Sequence, residues 1–488
     1  MNLKIKENYS GSEKKDNYYL LYNSNSTNTI NYVTENKPSK INSENPYFKK
    51  DVTINDEYFE WENSTFFPIF LCEATSITIP KVVKTQINKL PKKILKKIDK
   101  DLDVAKEKCM VVASNLTSML FKDDEYNWTS LSSRILQEQV QKGKDNTFYY
   151  QYVIEALKYS TNNTIPIIEC KRNSFGHDSY EKGNLCKQYK FSSKYQNNNL
   201  FNYTLKNKDC INNRRKHLYK KLGLALKNPI AQNLIEIYSK IETPTEENII
   251  NRGKALIKEG FKTRKGKLLT YINKRSKEFF IDFENRTFLE ENLKQFKYLT
   301  SNGYMIPAIG DSKSGGRVVD SFNLMPSWIR KMCTIDKDEI VELDYSAFHP
   351  NIALSIFGGS TQFLSHQQVA QDLNKDITEI KIEHLSFFNK HPKDMIKSIL
   401  FEYYSNKEPF MLDKIIQDKY QNNYKNTSKL LFKKEVEIMT KCITILNKQN
   451  IYVLYVYDAL YCKKSDQSIV KEVMNKIVIE KGVYARVG

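Results

Sequence analysis

Paired cysteines are the first thing this sequence lacks. The 488 residues include eight cysteines, and none stands in a CxxC pair. Cys170 and Cys186 flank His177, and Cys210 precedes His217, but these gaps do not match ligand pairs spaced for zinc. The thiols therefore read as free and mostly apolar, as in a reducing compartment. No run of about 18 apolar residues is present to span a bilayer, and the polar N-terminus carries no signal-peptide pattern. These absences lead us to expect a soluble, intracellular, cytoplasmic protein with no membrane partner. Acids are also in deficit. Against 76 Lys and Arg there are 57 Asp and Glu, a formal net charge of +19. Such a surplus favours a polyanionic partner, nucleic acid above all. An AT-rich genome would also write many Lys, Asn, Ile and Tyr and little Arg, so charge alone does not separate the two explanations.

The length suits two to four domains with real cores. Residues 1–56 are rich in Asn, Ser, Lys and Tyr without apolar periodicity, and read as a disordered or loosely attached arm. Residues 57–205 read as an accessory α/β region. Within it, about 107–195, the stretch SLSSRILQEQV (130–140) predicts a short capped helix. TFYYQYVIEALKY (147–159) places Tyr149, Tyr152, Val153, Ala156 and Leu157 on one helical face. A strand at IPIIEC (165–170) and a turn centred on Lys182, Gly183 and Asn184 follow. Two helices and a hairpin in that order resemble a winged helix. Residues 206–300 read as a basic helical, thumb-like region, with clustered Lys and Arg suited to phosphates. Asp282 and Glu284 have the DxE spacing of a proofreading exonuclease, but no room remains for the further carboxylates such a site needs.

The last third, 301–488, carries the chemistry. Asp344 ends the short alternating strand EIVEL (339–343). Asp458 sits in a hairpin-like break between YVLYVY and ALYC. Paired as neighbours, the two strands would bring both carboxylates to one end of a sheet. Two acids that close repel unless divalent cations intervene, which points to two Mg²⁺ ions, with Mn²⁺ an alternative. Between them, HPKDMIKSILFEYYSNKE (391–408) taken as one helix puts Lys393, Lys397, Phe401 and Tyr404 within about 80° of one another around its axis. Two ammonium groups and two rings on one stripe suit a nucleoside triphosphate.

These segments carry a resemblance. DYSAFH (344–349) resembles motif A of family A DNA polymerases, D-Y-S-Q-I-E. KSILF (397–401), with Lys393 before it, looks like motif B, and VYDAL (456–460) resembles motif C, V-H-D-E. Upstream, GGRVVDSFNLMP (315–326) is similar to the T-G-R-L-S-S…P-N-L-Q-N-I-P segment that contacts template and primer. The four occur in the family's order, over roughly 300–470. The departures are specific. His349 replaces the Glu that gates the sugar, the next residues look more like the Y-P-S-I of family B, Tyr457 stands where His is usual, and Ala459 where an acid follows. The order and compactness resemble the divergent family A-like polymerases of viruses, plasmids and transposons, and phage single-subunit RNA polymerases share a related palm.

The resemblance implies an α+β right-hand polymerase with an antiparallel-sheet palm, helical fingers, reduced in size, and a thumb, beside the winged-helix-like module. It implies that Asp344 and Asp458 hold both metals, with the Tyr345 carbonyl a further ligand. Lys397 would meet the triphosphate and protonate pyrophosphate, with Lys393 in support. Phe401 and Tyr404 would pack on the incoming base and ribose, and His349 would lie beneath the sugar. Arg317, Asn323 and Arg330 would approach the primer–template. The implied partners are a DNA primer–template, dNTPs, and a helicase or other replication proteins. Two alternatives stand beside DNA synthesis: an RNA polymerase or primase with the same palm, and a non-catalytic DNA-binding replication initiator.

Overall fold

Proline and capping residues punctuate the chain where the elements change. The computed structural model describes residues 75–121, 128–142, 147–178, 186–196, 199–263, 266–273, 283–301 and 303–488. Strand β1 (Ser76–Pro80) ends at Pro80, which stands at the N-cap of helix α1 (Lys81–Asn88). Pro91 likewise precedes α2 (Lys92–Ile98). Asp101 then caps α3 (Leu102–Ser114), accepting from the amides of Asp103 and Val104, which satisfies two of the orphan donors of a helix start.

After α3 come β2 (Thr129–Ser130), α4 (Ser133–Val140), α5 (Tyr149–Leu157), β3 (Ile168–Cys170), β4 (Gln188–Phe191) and β5 (Leu200–Thr204). β2, β4 and β3 form a three-stranded antiparallel sheet in that order, and β5 pairs with β1. The expected short helix is α4, although Ser132 at its N-cap makes no side-chain capping bond. On α5, Val153, Ala156 and Leu157 are buried, whereas Tyr152 of the expected apolar face points outward. The arm at 1–56, the turn at 182–184 and Asp282 lie outside the described residues.

Helix α6 (Lys208–Ala225), capped by Asn207, joins two hydrophobic cores. Its Cys210 belongs to the core built from Ile77 onward, and its Leu222 and Ala225 belong to the second. The second core takes in α7 (Pro229–Ile237), β6 (Ile241–Glu242), α8 (Glu246–Lys258), β7 (Leu268–Thr270), whose partner strand is β8 (Arg286–Phe288), and α9 (Leu289–Thr300). Strand β9 (Ala308–Ile309) pairs with β10 (Val318–Val319), through which the core continues to α10 (Ser321–Leu324), α11 (Ser327–Arg330), β11 (Thr334–Ile335) and β12 (Asp338–Asp344). Seven helices follow: α12 (Phe348–Phe357), α13 (His366–Asp372), α14 (Ile377–Phe387), α15 (Pro392–Met395), α16 (Ile399–Lys407), α17 (Pro409–Gln421) and α18 (Asn426–Asn447). The hairpin β13 (Leu454–Val456) and β14 (Ala459–Lys463), then α19 (Gln467–Glu480), complete it.

The largest sheet has five strands in the order β13-β14-β12-β11-β6, every neighbouring pair antiparallel. Buried Asn233 of α7 clamps the start of its hairpin. Its amide nitrogen donates to the Val453 carbonyl at 2.6 Å, and its oxygen accepts from the Val453 amide at 3.2 Å. A buried amide that exchanges both bonds fixes where that strand enters the sheet. The fold is thus mixed α and β, mostly helical around small sheets. Among the described residues, no helix is long and apolar enough to cross a membrane.

Candidate active site

The register of the central sheet brings the two acids together. Asp344, the last residue of β12, lies opposite Ala459, the first residue of β14. Val456 of β13 also lies opposite Ala459, so Tyr457 and Asp458 form a two-residue hairpin turn. The Tyr345 amide donates to the Asp458 carbonyl at 3.4 Å, which fastens the turn to the end of β12. Asp344 and Asp458, 114 positions apart in the chain, therefore stand at adjacent places on one sheet edge. Two residues flanking them adopt left-handed backbone. Tyr457 has φ 58° in the hairpin, and Ala347 has φ 48° where α12 begins. Such turns ordinarily take Gly or Asn, and side chains held there cost about 1 kcal/mol or more each. Backbone strain of this kind concentrates at functional sites.

Sequence reading missed the residue that organises this edge. Glu435 of α18 is fully buried, and its carboxylate accepts from Arg317 Nε at 2.7 Å and from His349 Nε2 at 2.8 Å. Arg317 Nη2 closes the second arm of the fork. The guanidinium is packed over the rings of Phe432 and Tyr457, 4.0 and 4.8 Å from their centroids. Burial alone would push the Glu435 carboxyl up. The charge of Arg317 and the hydrogen bonds from His349 and Arg317 outweigh it and lower the group to about 2. It is a carboxylate at any ordinary pH. Because Nε2 donates to it, the proton of a neutral His349 ring belongs on Nε2. Asp458 moves the other way. Burial first, then the Glu435 charge, raise its pKa, against the pull of His349 and Arg317.

Nothing in the local sequence marks Glu435. Two residues on, Glu437 has the same surroundings in sequence, yet it faces solvent and pairs with Lys434 and Lys481. The Gly-Gly before Arg317 has a steric reason. Gly315 has φ 66°, and a Cβ there would lie 2.5 Å from the backbone of Phe432 and Lys433. Only glycine lets this loop press onto α18 and deliver Arg317 to Glu435.

Several expected site residues sit differently from their expected roles. The stripe over 391–408 assumed one continuous helix. The chain instead forms α15, leaves helical geometry at Ser398, and restarts as α16 with the Ser398 hydroxyl accepting from the Leu400 amide. Lys393 and Lys397 remain exposed, Lys397 within 3.4 Å of Asp394, and Phe401 is half-buried. Tyr404 is a correction. It is fully buried, its hydroxyl is 2.8 Å from His384 Nε2, and its ring packs against Phe387 and Phe388. It belongs to the helical core and offers no face to a base.

Arg317, Asn323 and Arg330, expected along a primer–template path, are all turned inward. Arg317 is committed to Glu435. Arg330 is buried, with its guanidinium 5.6 Å from the Tyr461 ring centroid and 5.8 Å from that of Phe322. Asn323 is buried beside Asp320, which accepts from the Asn323 amide at 2.7 Å and from the Tyr238 hydroxyl at 2.8 Å. Burial raises the Asp320 carboxyl to about 6, against these bonds and the Arg330 charge. Tyr345 is buried too, stacked on Phe348, with its hydroxyl donating to the Met474 carbonyl at 2.7 Å.

Among the described residues, no group of three or more His, Cys, Asp or Glu side chains is arranged to hold a metal. The backbone register sets Asp344 and Asp458 side by side at one end of the sheet. Magnesium is commonly held by one or two carboxylates, with waters and substrate phosphates completing its shell. A half-buried Asp458 whose charge is disfavoured by desolvation and by Glu435 suits a cation at that place.

No family model matches the chain, and no curated protein matches it. Among solved structures, it is similar to the POL domain of Pol1 from M. smegmatis in complex with DNA primer-template and dNTP. That likeness has a TM-score of 0.35 and 11% identity, and covers 57% of this chain and 72% of that one.

Proposed function

We propose that this chain is a nucleotidyltransferase that extends a primer on a template, a DNA-directed DNA polymerase of the divergent, virus or mobile-element type. The observation that carries the reading is that Asp344, at the end of β12, and Asp458, in the turn leading into the neighbouring strand β14, come from distant segments to one end of the same antiparallel sheet. In this reading β11 to β14 form the palm, the helices between about 365 and 430 the reduced fingers, and 206–300 the thumb. The order α3, β2, α4, α5, β3, β4, with β4 central in its sheet, supports a winged-helix-like module.

Asp344 and Asp458 would hold the metal, with the Tyr345 carbonyl beside them. Bound there, two Mg²⁺ ions would ease loss of the primer 3′-hydroxyl proton and neutralise charge on the leaving pyrophosphate. The 3′-oxygen bonds to the α-phosphorus as the bond to the bridging oxygen breaks. Exposed Lys397 and Lys393 meet the triphosphate, and Lys397 gives the leaving group its proton. Phe401 packs against the incoming base. His349, held by Glu435, lies beneath the sugar. Arg317 acts through this same anchor, so its part is to position His349 and the Tyr457 turn.

Primer extension with Asp344→Asn or Asp458→Asn tests the reading. Each change removes a metal ligand and keeps side-chain shape, so turnover is expected to fall by at least about 100-fold while circular dichroism and the unfolding midpoint hold. Undiminished extension by either variant would overturn it. The tethered His349 in place of a free carboxylate favours a second reading, an RNA-making enzyme. Faster incorporation of rNTPs than dNTPs, without a primer, would establish that instead. No transfer under any of these conditions, with duplex binding intact, would leave the replication initiator.

A further inference from the structure

Between residues 81 and 100 the sequence places eight lysines and a single acid, Asp99. That acid is spoken for, its carboxylate 3.2 Å from buried Lys108. The segment folds as α1 and α2, whose apolar residues Val83, Ile87, Leu95 and Ile98 are all buried. The lysines are left outside: Lys89, Lys92, Lys93, Lys96, Lys97 and Lys100 are exposed. Of these six, only Lys97 makes an ion pair among the described residues, at 2.7 Å to half-exposed Glu155 of α5.

This surface is poorly built for stability. Lys92 with Lys96 and Lys93 with Lys97 are like charges four apart on one helix, each pair costing a few tenths of a kcal/mol. Neither helix has an acid in its first turn to offset the positive end of its dipole. The neighbouring helix of the module does not share the charge. The solvent face of α5 carries Gln151, Tyr152 and Glu155, and Lys158 at its end is drawn to Asp178 at 3.5 Å.

We infer that the α1–α2 ridge is a second nucleic-acid site, separate from the sheet edge, that grips duplex DNA through its phosphates without reading sequence. Lysines four apart on one helix, their Cβ atoms about 6 Å apart, present paired ammonium groups that suit a phosphate backbone, where each neutralised phosphate releases counterions. A lipid surface fits worse. A membrane-lying helix keeps an apolar face free to insert, and here that face is used up in the core. Unpaired strands fit worse too, since stacking needs exposed rings and the ridge has none. The rings of Phe201 and Tyr203 nearby lie under Lys84. The inference does not depend on catalysis at Asp344 and Asp458.

The test is fluorescence anisotropy of the full chain on a labelled mixed-sequence duplex across a salt series. The variant replaces Lys92, Lys93, Lys96 and Lys97 by Gln, and its partner replaces the same four by Arg. The Gln variant should bind at least 10-fold more weakly, with its salt slope reduced by about 3 to 4, at about 0.9 per lost phosphate contact. The Arg variant should keep both. An unchanged slope in the Gln variant overturns the site, and so does equal loss in the Arg variant, which would mark a folding effect. Tighter ridge-dependent binding to a single strand of the same length, or ridge-dependent binding to phosphatidylserine vesicles with the duplex slope unchanged, also overturns it. The same slope change measured in an Asp458→Asn background keeps this result apart from the polymerase reading.

Discussion

Glu435 gathers more consequence than any other side chain here, because one fully buried carboxylate serves both Arg317 and His349. Removing one partner of a buried ion pair strands the other charge without water, which typically costs about 3–5 kcal/mol. Glu435→Ala should therefore lower the unfolding free energy by about that much in urea titrations. The pH dependence has a definite sign. The folded carboxyl lies near 2 against an ordinary 4.5, so its contribution is fully present above pH 4.5 and is lost as pH falls toward 2. The stability gap between the parent chain and Glu435→Gln should be widest above pH 4.5 and narrow on acidification. A gap that widened on acidification would mean that the carboxyl is raised, and that the pairing with Arg317 is not what holds it.

At the scale of elements, the break at Ser398 separates two roles that one helix would have merged. α15 and the residues after it leave Lys393 and Lys397 in solvent, while α16 turns Tyr404 inward to His384. Tyr404→Phe deletes one buried hydrogen bond and keeps the ring. It should cost about 1 kcal/mol of stability and leave the KM for nucleotide unchanged. Lys397→Ala should do the reverse. Stability should hold, since a side chain this exposed is paired only weakly with Asp394, and on the proposed contact to the triphosphate kcat/KM should fall about 10- to 100-fold. Steady-state kinetics beside thermal melts on the same two variants reads both effects. A raised KM in Tyr404→Phe would restore the stacking role that its burial argues against.

At the scale of the molecule, two hydrophobic cores share one helix. Ile79 is fully buried in the first and Leu460 in the second, and α6 runs from one to the other. Truncating a buried Ile or Leu to Ala costs about 2–5 kcal/mol, because the surroundings close only partly over the cavity. Ile79→Ala should lower one calorimetric transition and Leu460→Ala another. A single transition that both variants shift equally would show that α6 couples the cores into one cooperative unit.

The sequence by itself settled what short-range physics controls. Period-two alternation gave the strand ending at Asp344 and the broken hairpin at Asp458. Asp101, Asn207 and Asn228 stand where helices start and cap them, and Gly315, at φ 66°, makes a turn that a side chain could not. These features follow from backbone hydrogen bonding and sterics within a few residues, so the local pattern holds them. Tertiary structure alone decided the rest. Arg317 finds Glu435 across 118 positions, while Glu437, two residues on, stays in solvent. Tyr404 looks like a ligand-stacking ring until α14 and the Phe387–Phe388 pair close around it. Which of several similar side chains is buried, and against what, depends on how helices pack, and that packing is set by contacts between residues far apart in the chain.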